Sequence, residues 1–367
     1  MNLLYISSKK RWGGVSSWMQ RTAVGLEDLG NRVWVLAHPN GRFSQRSADG
    51  IRLIPKKLGM DYNPAMVYYL VRFIRRNHID LIVTNIEKEV VIGGLAARLC
   101  RIPNIRRVGR EDDFNQRLKV RYHHHWLVDA CIVPCNYIRD RAIDIAPWLK
   151  PEQFTTIYNG RNPVSIDAAW RHKAKLKWRV GERQLVIGVT TQLSPQKRVD
   201  VLLDAFARVC PKHDAAVLVI AGEGQEKASL EQRAASLGIA QRVRFIGFST
   251  SPERTAAAYD IAVSPSSFEG FPNTVVEYFA AGCAVVTTSA GGVCEMAIDG
   301  VNALVTPVND VDAMATAIAT LIERPETRKK LGRNAAETIR ERFSEDLMIE
   351  KLNRYYCAAI GVSRSGS

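Results

Sequence analysis

Nowhere does the 367-residue sequence string together the roughly 18–20 apolar residues that a bilayer-spanning helix requires. The opening MNLLYISSKKRWGG has no charged leader ahead of its apolar segment. It reads as a first buried strand rather than a signal peptide, and a cytoplasmic protein is expected. Seven cysteines (100, 131, 135, 210, 283, 294 and 357) form no even, regularly spaced framework, and most lie in apolar contexts such as DACIVPC and AGCAVV. They read as reduced core residues. Cys131 and Cys135 miss the C-x-x-C spacing of a zinc knuckle, and three consecutive histidines, His123 to His125, cannot all face one ion from a helix. Those histidines are expected on a solvated helix face. AGEGQEK has Lys227 where a dinucleotide fingerprint needs its third glycine. With no recognisable zinc finger, RNA-recognition motif or basic helix, a nucleic-acid-binding module is supported by net charge alone, and no nucleic-acid partner is expected.

What is present is an ordinary soluble composition, 46% hydrophobic and 24% charged, on a chain long enough for two α/β domains. Short strand-like runs alternate with longer amphipathic ones, the pattern of βα units around a parallel sheet. LLYISS, RVWVLA, IRLIP, DLIVTN, NIRRV, ACIVP and TTIYN form one series. LVIGVT, AVLVIA, VRFIG, IAVSP, AVVTT and ALVTP form a second. Helical stretches are predicted at 15–29, 64–77 and 89–100. Residues 166–181 are charged, helix-prone and poor in β-branched side chains, which suits a linker. The expected division is 1–165, 166–343 and a terminal segment 344–367, whose SRSGS end is expected to fray.

The net charge is +14, and it is unevenly placed. Residues 1–165 hold 26 lysines and arginines against 14 carboxylates, so +12 of the excess lies there. Such asymmetry points to an anionic partner, here an anionic membrane surface. Clusters at Lys9-Lys10-Arg11, Lys56-Lys57, Arg72 with Arg75-Arg76, and Arg101 with Arg106-Arg107 are the candidate contacts. Trp12, Tyr68, Tyr69 and Phe73 lie among them.

The most informative stretch is SSFEGFPNTVVEYFAA, residues 266–281. Glu269 and Glu277 flank a turn between a strand and a helix, where open α/β sheets bind ligands. A helix start offers free backbone N–H groups to an anion, whereas carboxylates accept from hydroxyls. The expected ligand therefore carries both phosphate and hydroxyls, as a nucleotide sugar does. Near the N-terminus, Gly13 and Gly14 follow the first strand and precede a helix, an arrangement that lets backbone approach a ligand closely.

E-G-F-P-x-x-x-x-E, followed by A-A-G-C-A-V-V-T-T and G-G-V-C-E, resembles the signature of the retaining group 1 glycosyltransferases of bacterial surface-polysaccharide or lipopolysaccharide type. The resemblance implies a GT-B fold, an α/β architecture of two Rossmann-like domains facing a central cleft, with a C-terminal helix crossing back to the N-terminal domain. It assigns Glu269 to the donor-sugar hydroxyls and Glu277 to the ribose, with Gly270, Phe271, Pro272, Asn273 and Thr274 between them. Gly291 and Gly292 match a second phosphate-binding loop, Gly13 and Gly14 a glycine pair touching diphosphate or acceptor, and Gly247 a turn that meets the nucleobase.

In TQLSPQKRVDVLLDAF, Lys197 matches the diphosphate-clamping lysine. Gln192 stands where the family carries Arg, and Arg198 where Gly is usual; Arg198 is the candidate for the missing charge. A first-domain histidine of the family is absent, leaving Arg110, Glu111 or Asp112 as acceptor-side substitutes. The implied donor is a nucleoside-diphosphate sugar, UDP-linked by preference with GDP-mannose open. The implied acceptor is a glycan or lipid-linked molecule at the inner membrane face. No cofactor and no metal are expected. A sugar-nucleotide epimerase, a phosphorylase-like enzyme and a catalytically weakened scaffold of the same fold stay open.

Overall fold

A computed structural model describes residues 1–10, 13–46, 51–165 and 167–365. The chain forms two compact units, one of residues 1–159 with 346–367 and one of residues 160–345. The first break therefore falls after Asn159, at the Asn159-Gly160 turn, six residues ahead of the expected boundary. A Cβ on Gly160 would lie 2.1 Å from the Ser344 carbonyl oxygen, so the outgoing and returning segments of the second unit touch backbone to backbone there.

All thirteen strands among the described residues fall on the predicted runs. In the first unit they are β1 (Asn2–Ser7), β2 (Arg32–Ala37), β3 (Arg52–Pro55), β4 (Leu81–Thr84), β5 (Asn104–Arg107), β6 (Ala130–Val133) and β7 (Phe154–Thr156). They pair in parallel in the order β3-β2-β1-β4-β5-β6-β7. The second unit has β8 (Leu185–Thr190), β9 (Ala216–Ala221), β10 (Val243–Gly247), β11 (Ile261–Ser264), β12 (Ala284–Thr288) and β13 (Leu304–Thr306). Their order, β10-β9-β8-β11-β12-β13, is again parallel. Both are the doubly wound order, whose switch point, where ligands bind, lies between β1 and β4 or between β8 and β11. Helices cover the sheets on both faces, which is why the strands read as continuous apolar runs.

The helix Pro64–Asn77 starts where predicted: Pro64 occupies its first turn, and the Asn63 side chain accepts from the Met66 amide at 3.2 Å. Residues 168–177, expected in a linker, form a helix of the second unit. The final helix, Glu345–Ser365, carries the chain back to the first unit; Gly366 and Ser367, in the segment expected to fray, lie outside the described residues. Met348, Leu352 and Ile360 on one face enter the core beside Leu3, Tyr5 and Leu26. Each such burial stabilises by roughly 1.5–3 kcal/mol. Gly25 permits the approach, since a Cβ there would sit 2.7 Å from Ile349 Cγ1.

Candidate active site

The loops that leave β8 and β11, the two strands at the switch point of the second sheet, meet side chain to side chain. Lys197 Nζ lies 2.7 Å from Glu269 Oε1, which also accepts from Ser266 Oγ at 2.7 Å. Glu269 is 8% exposed. A second tie joins the loops: Gln196 Nε2 donates to Phe268 O at 2.8 Å, and the Ser267 amide donates to Gln196 O at 2.9 Å. Thr288, at the end of β12, donates to Ser266 O at 2.5 Å. The carboxylate is thus held by groups from both sides of the switch point.

Pro272 caps the helix Asn273–Ala280, whose first turn carries Asn273 and Thr274 and whose middle carries Glu277. Gly270 precedes this turn, and Phe271 is buried with its ring 6.4 Å from that of Phe343. Glu277 Oε1 accepts from Arg161 Nη2 at 3.2 Å, while Arg161 Nε donates to Glu253 Oε1 at 3.2 Å. Arg161 is buried, and the sequence reading does not single it out. Its only sequence signal is its place after Asn159-Gly160.

Gly291 adopts a positive φ of 57° and opens the short 3-10 turn Gly291–Glu295. The Gly292 amide donates to Glu269 O at 3.0 Å and the Val293 amide to Ala290 O at 3.2 Å. The Gly292 and Val293 amides of this expected phosphate-binding loop are therefore engaged within the protein. The reason is that the loop winds into a helical turn beneath Glu269.

Arg198 takes the left-handed conformation, with φ 46° and ψ 41°, which accounts for the glycine usual at this position. Its Nε and Nη2 hydrogen-bond the two oxygens of Asp200 at 3.0 and 2.9 Å, and Nη1 bonds Asn309. Burial raises the Asp200 pKa, but the Arg198 hydrogen bond and charge outweigh it and hold the carboxyl below its ordinary value. The arginine is thereby committed to a carboxylate rather than left beside Lys197. Gln192 is exposed. Gly247 has φ 74° and its carbonyl accepts from the Gly222 amide at 2.8 Å. The G-x-G of AGEGQEK is explained by packing. A Cβ on Gly222 would lie 1.8 Å from Thr191 O, and one on Gly224 2.0 Å from Leu193 O.

In the first unit, Gly13 caps the helix Gly14–Asp28 with an extended backbone, and a Cβ there would meet nothing within 4 Å among the described residues. Neither backbone nor packing demands glycine at 13. Arg110 pairs with Asp112 at 2.8 Å on the exposed surface; the Glu111 side chain lies outside the described residues.

Two expectations are corrected there. Arg106 and Arg107 are 1% and 4% exposed and cannot face a membrane. Arg106 Nη2 donates to Asp113 O at 2.8 Å, its Nε to Asn85 O at 3.2 Å, and its guanidinium lies 4.4 Å from the Phe114 ring centroid. Arg107 lies over Trp18, and burial pushes its pKa down to about 10. Both occupy β5, an interior strand covered on both faces. Likewise His123 and His124 are buried, and only His125 is exposed. His123 bridges Tyr62 Oη and Glu87 Oε1, each at 2.6 Å. Lys9, Lys10, Lys56, Lys57, Arg72, Arg75, Arg76 and Arg101 are exposed, whereas Arg11 and Trp12 lie outside the described residues.

Comparison with known proteins agrees with this geometry. Residues 171–338 match the family described as glycosyl transferases group 1, and residues 12–164 match glycosyltransferase family 4. The lipopolysaccharide core biosynthesis glycosyltransferase LpsE of Rhizobium meliloti is 30% identical over 271 residues, 72% of this chain and 74% of that protein. The chain belongs to the group 1 glycosyltransferases. An uncharacterized glycosyltransferase of Methanocaldococcus jannaschii is 29% identical over 56% of this chain, and the chain spans about half, 55%, of that relative's length. The structure of Anabaena HepE in complex with UDP superposes with a TM-score of 0.85 over 98% of this chain and 100% of that one, at 23% identity, which shows the shared fold.

Proposed function

We propose that this chain is a retaining, metal-independent glycosyltransferase. It moves a sugar from a nucleoside-diphosphate sugar, UDP-linked by preference, to a glycan or lipid-linked acceptor in surface-polysaccharide or lipopolysaccharide synthesis. The observation that carries this reading is the Lys197–Glu269 pair at the switch point of the second sheet. A cation for a leaving diphosphate and an acceptor for sugar hydroxyls sit on adjacent loops. UDP as the donor base is supported by HepE, solved with UDP and with UDP-glucose. LpsE and the Vi polysaccharide biosynthesis protein VipC/TviE of Salmonella typhi support the polysaccharide context.

In the proposed step, the bond between sugar C1 and the diphosphate oxygen breaks while the acceptor oxygen bonds C1 on the same face. The departing diphosphate oxygen takes the acceptor proton, so no enzymic nucleophile is needed. Lys197 stabilises the charge that develops on the diphosphate, where a fixed cation acts most strongly. Glu269 orients sugar hydroxyls, Glu277 accepts from the ribose, and the turn Gly270–Thr274 places amides near the phosphates. Gly13 and Gly14 offer the open helix start of the first unit to an anion. The protein works from the inner face of an anionic membrane, without a nucleic-acid partner.

The test is transfer from labelled UDP-, GDP- and ADP-sugars to a crude membrane fraction. Transfer from one donor with retained anomeric configuration is expected. Binding without any transfer would favour a catalytically weakened scaffold, the reading that the Arg198–Asp200 pairing and Gln192 support.

A further inference from the structure

Three residues of the helix Leu118–Leu127, four positions apart, project together from the first unit. Leu118 is 80% exposed, Tyr122 62% and Trp126 55%. Residues at i, i+4 and i+8 share one helix face, and the opposite face carries the buried Val120, His124 and Leu127. An amphipathic surface helix ordinarily turns its apolar stripe inward; this one displays a second stripe outward. Beneath the stripe lies an open hollow of about 1330 Å³. On two other helices of the same unit, Leu99 and Tyr68 are 60% and 62% exposed, lining a second hollow that shares Tyr62, Leu95 and Arg98 with the one beneath the stripe. Contiguous exposed apolar surface of this kind marks an interaction site.

The charges around the hollow indicate the occupant. Lys119, Arg121, Lys150 and Arg98 line it, and none of the described lining residues is a carboxylate. Arg98 is paired with Asp129 at 2.9 Å, and Lys119 lies 5.2 Å from the Tyr62 ring centroid. An isologous contact with a second copy would set these same cations against each other. An apolar, Tyr- and Trp-bearing stripe rimmed by cations instead fits the headgroup level of an anionic bilayer, where aromatic rings lodge and lysines and arginines meet lipid phosphates.

We propose that this face, centred on Leu118, Tyr122 and Trp126, docks the protein onto an anionic lipid bilayer. The proposal deepens the peripheral-membrane part of the function above and moves the contact from the buried Arg106-Arg107 to the helix Leu118–Leu127. It places lipid against the first unit, the unit whose residues carry most of the chain's excess charge.

Flotation of the full chain with phosphatidylglycerol-containing and pure phosphatidylcholine vesicles tests it. Binding to the anionic vesicles alone is expected. It should fall as salt rises from 0.1 to 1 M, because the Debye length shrinks from about 10 to about 3 Å. Leu118→Ser with Tyr122→Ser and Trp126→Ser should weaken it roughly tenfold or more. Lys119→Glu with Arg121→Glu should abolish the salt dependence, while Lys212→Glu in the second unit should change nothing. Thermal melts confirm folding of each variant. Wild type failing to float at low salt, or the serine variant floating as wild type does, overturns the proposal. So does a wild-type dimer that the serine variant converts to monomer with vesicle binding unchanged. No sugar donor is needed, so failure of the transferase reading would show in the donor panel and leave this outcome separate.

Discussion

Lys197 Nζ sits 2.7 Å from Glu269 Oε1, across a chain separation of 72 residues. The two loops that bring them together leave the strands on either side of the second sheet's switch point. The lysine's charge is thus paired within the protein, and in the proposed function the same two residues meet the diphosphate and the sugar hydroxyls. Donor binding would therefore exchange an internal ion pair for contacts to ligand, and each residue should report on a different part of the donor.

Glu277→Ala should weaken UDP binding itself, whereas Glu269→Ala should leave UDP affinity nearly intact and depress transfer. A hydrogen bond to a charged group contributes about 1.5–3 kcal/mol, so each effect should be roughly tenfold or larger. Calorimetry with UDP separates the two; equal losses of affinity would defeat the division of roles.

Lys197→Ala should lower turnover far more than Lys197→Arg, and activity should survive EDTA. Arg198→Gly should keep turnover within a few-fold, because the guanidinium is already held by Asp200 and the backbone gains a residue suited to its left-handed φ. Initial-rate measurements check all three. A collapse of kcat in Arg198→Gly would instead make Arg198 the substitute for the arginine missing at Gln192.

Arg161→Met removes the buried cation that Glu253 and Glu277, both largely buried, share. Breaking such a pair costs about 3–5 kcal/mol, so the melting temperature should drop by many degrees. UDP affinity should fall too, since Glu277 loses its anchor. Glu277→Ala in the Arg161→Met background recovering part of the lost stability would confirm like-charge repulsion as the cause.

His124 has an orphaned, buried Nδ1, and burial, with Arg106 and His125 adding to it, pushes its pKa down to about 3. The unfolded chain then binds a proton that the folded one refuses. Stability is fully present above about pH 6.5 and erodes toward pH 3, by about 1.4 kcal/mol per pH unit for one such group. His124→Phe, placed beside the Phe114 and Trp148 rings, should flatten that acid slope without loss at pH 7. Urea melts across pH 4–8 provide the measurement.

The thirteen strands and the helix Pro64–Asn77 were legible because buried parallel strands read as unbroken apolar runs, bounded by turn residues, and these are local signals. The E-G-F-P-x-x-x-x-E stretch was legible for the same reason: both glutamates belong to one strand-turn-helix unit. Arg106 and Arg107 read as surface charge, because basic residues in a strand give no local sign that two helical layers will close over them. Nor could a helix carrying three histidines show which ones its neighbours would cover. Arg161 joins carboxylates 92 and 116 residues away, and Lys197 finds Glu269 only when β8 and β11 lie side by side. Pattern within a dozen residues specified the elements. The charge pairs that surround the candidate site were decided by strand order, because electrostatic and hydrogen-bond partners depend on distance in space, which periodicity along the chain does not encode.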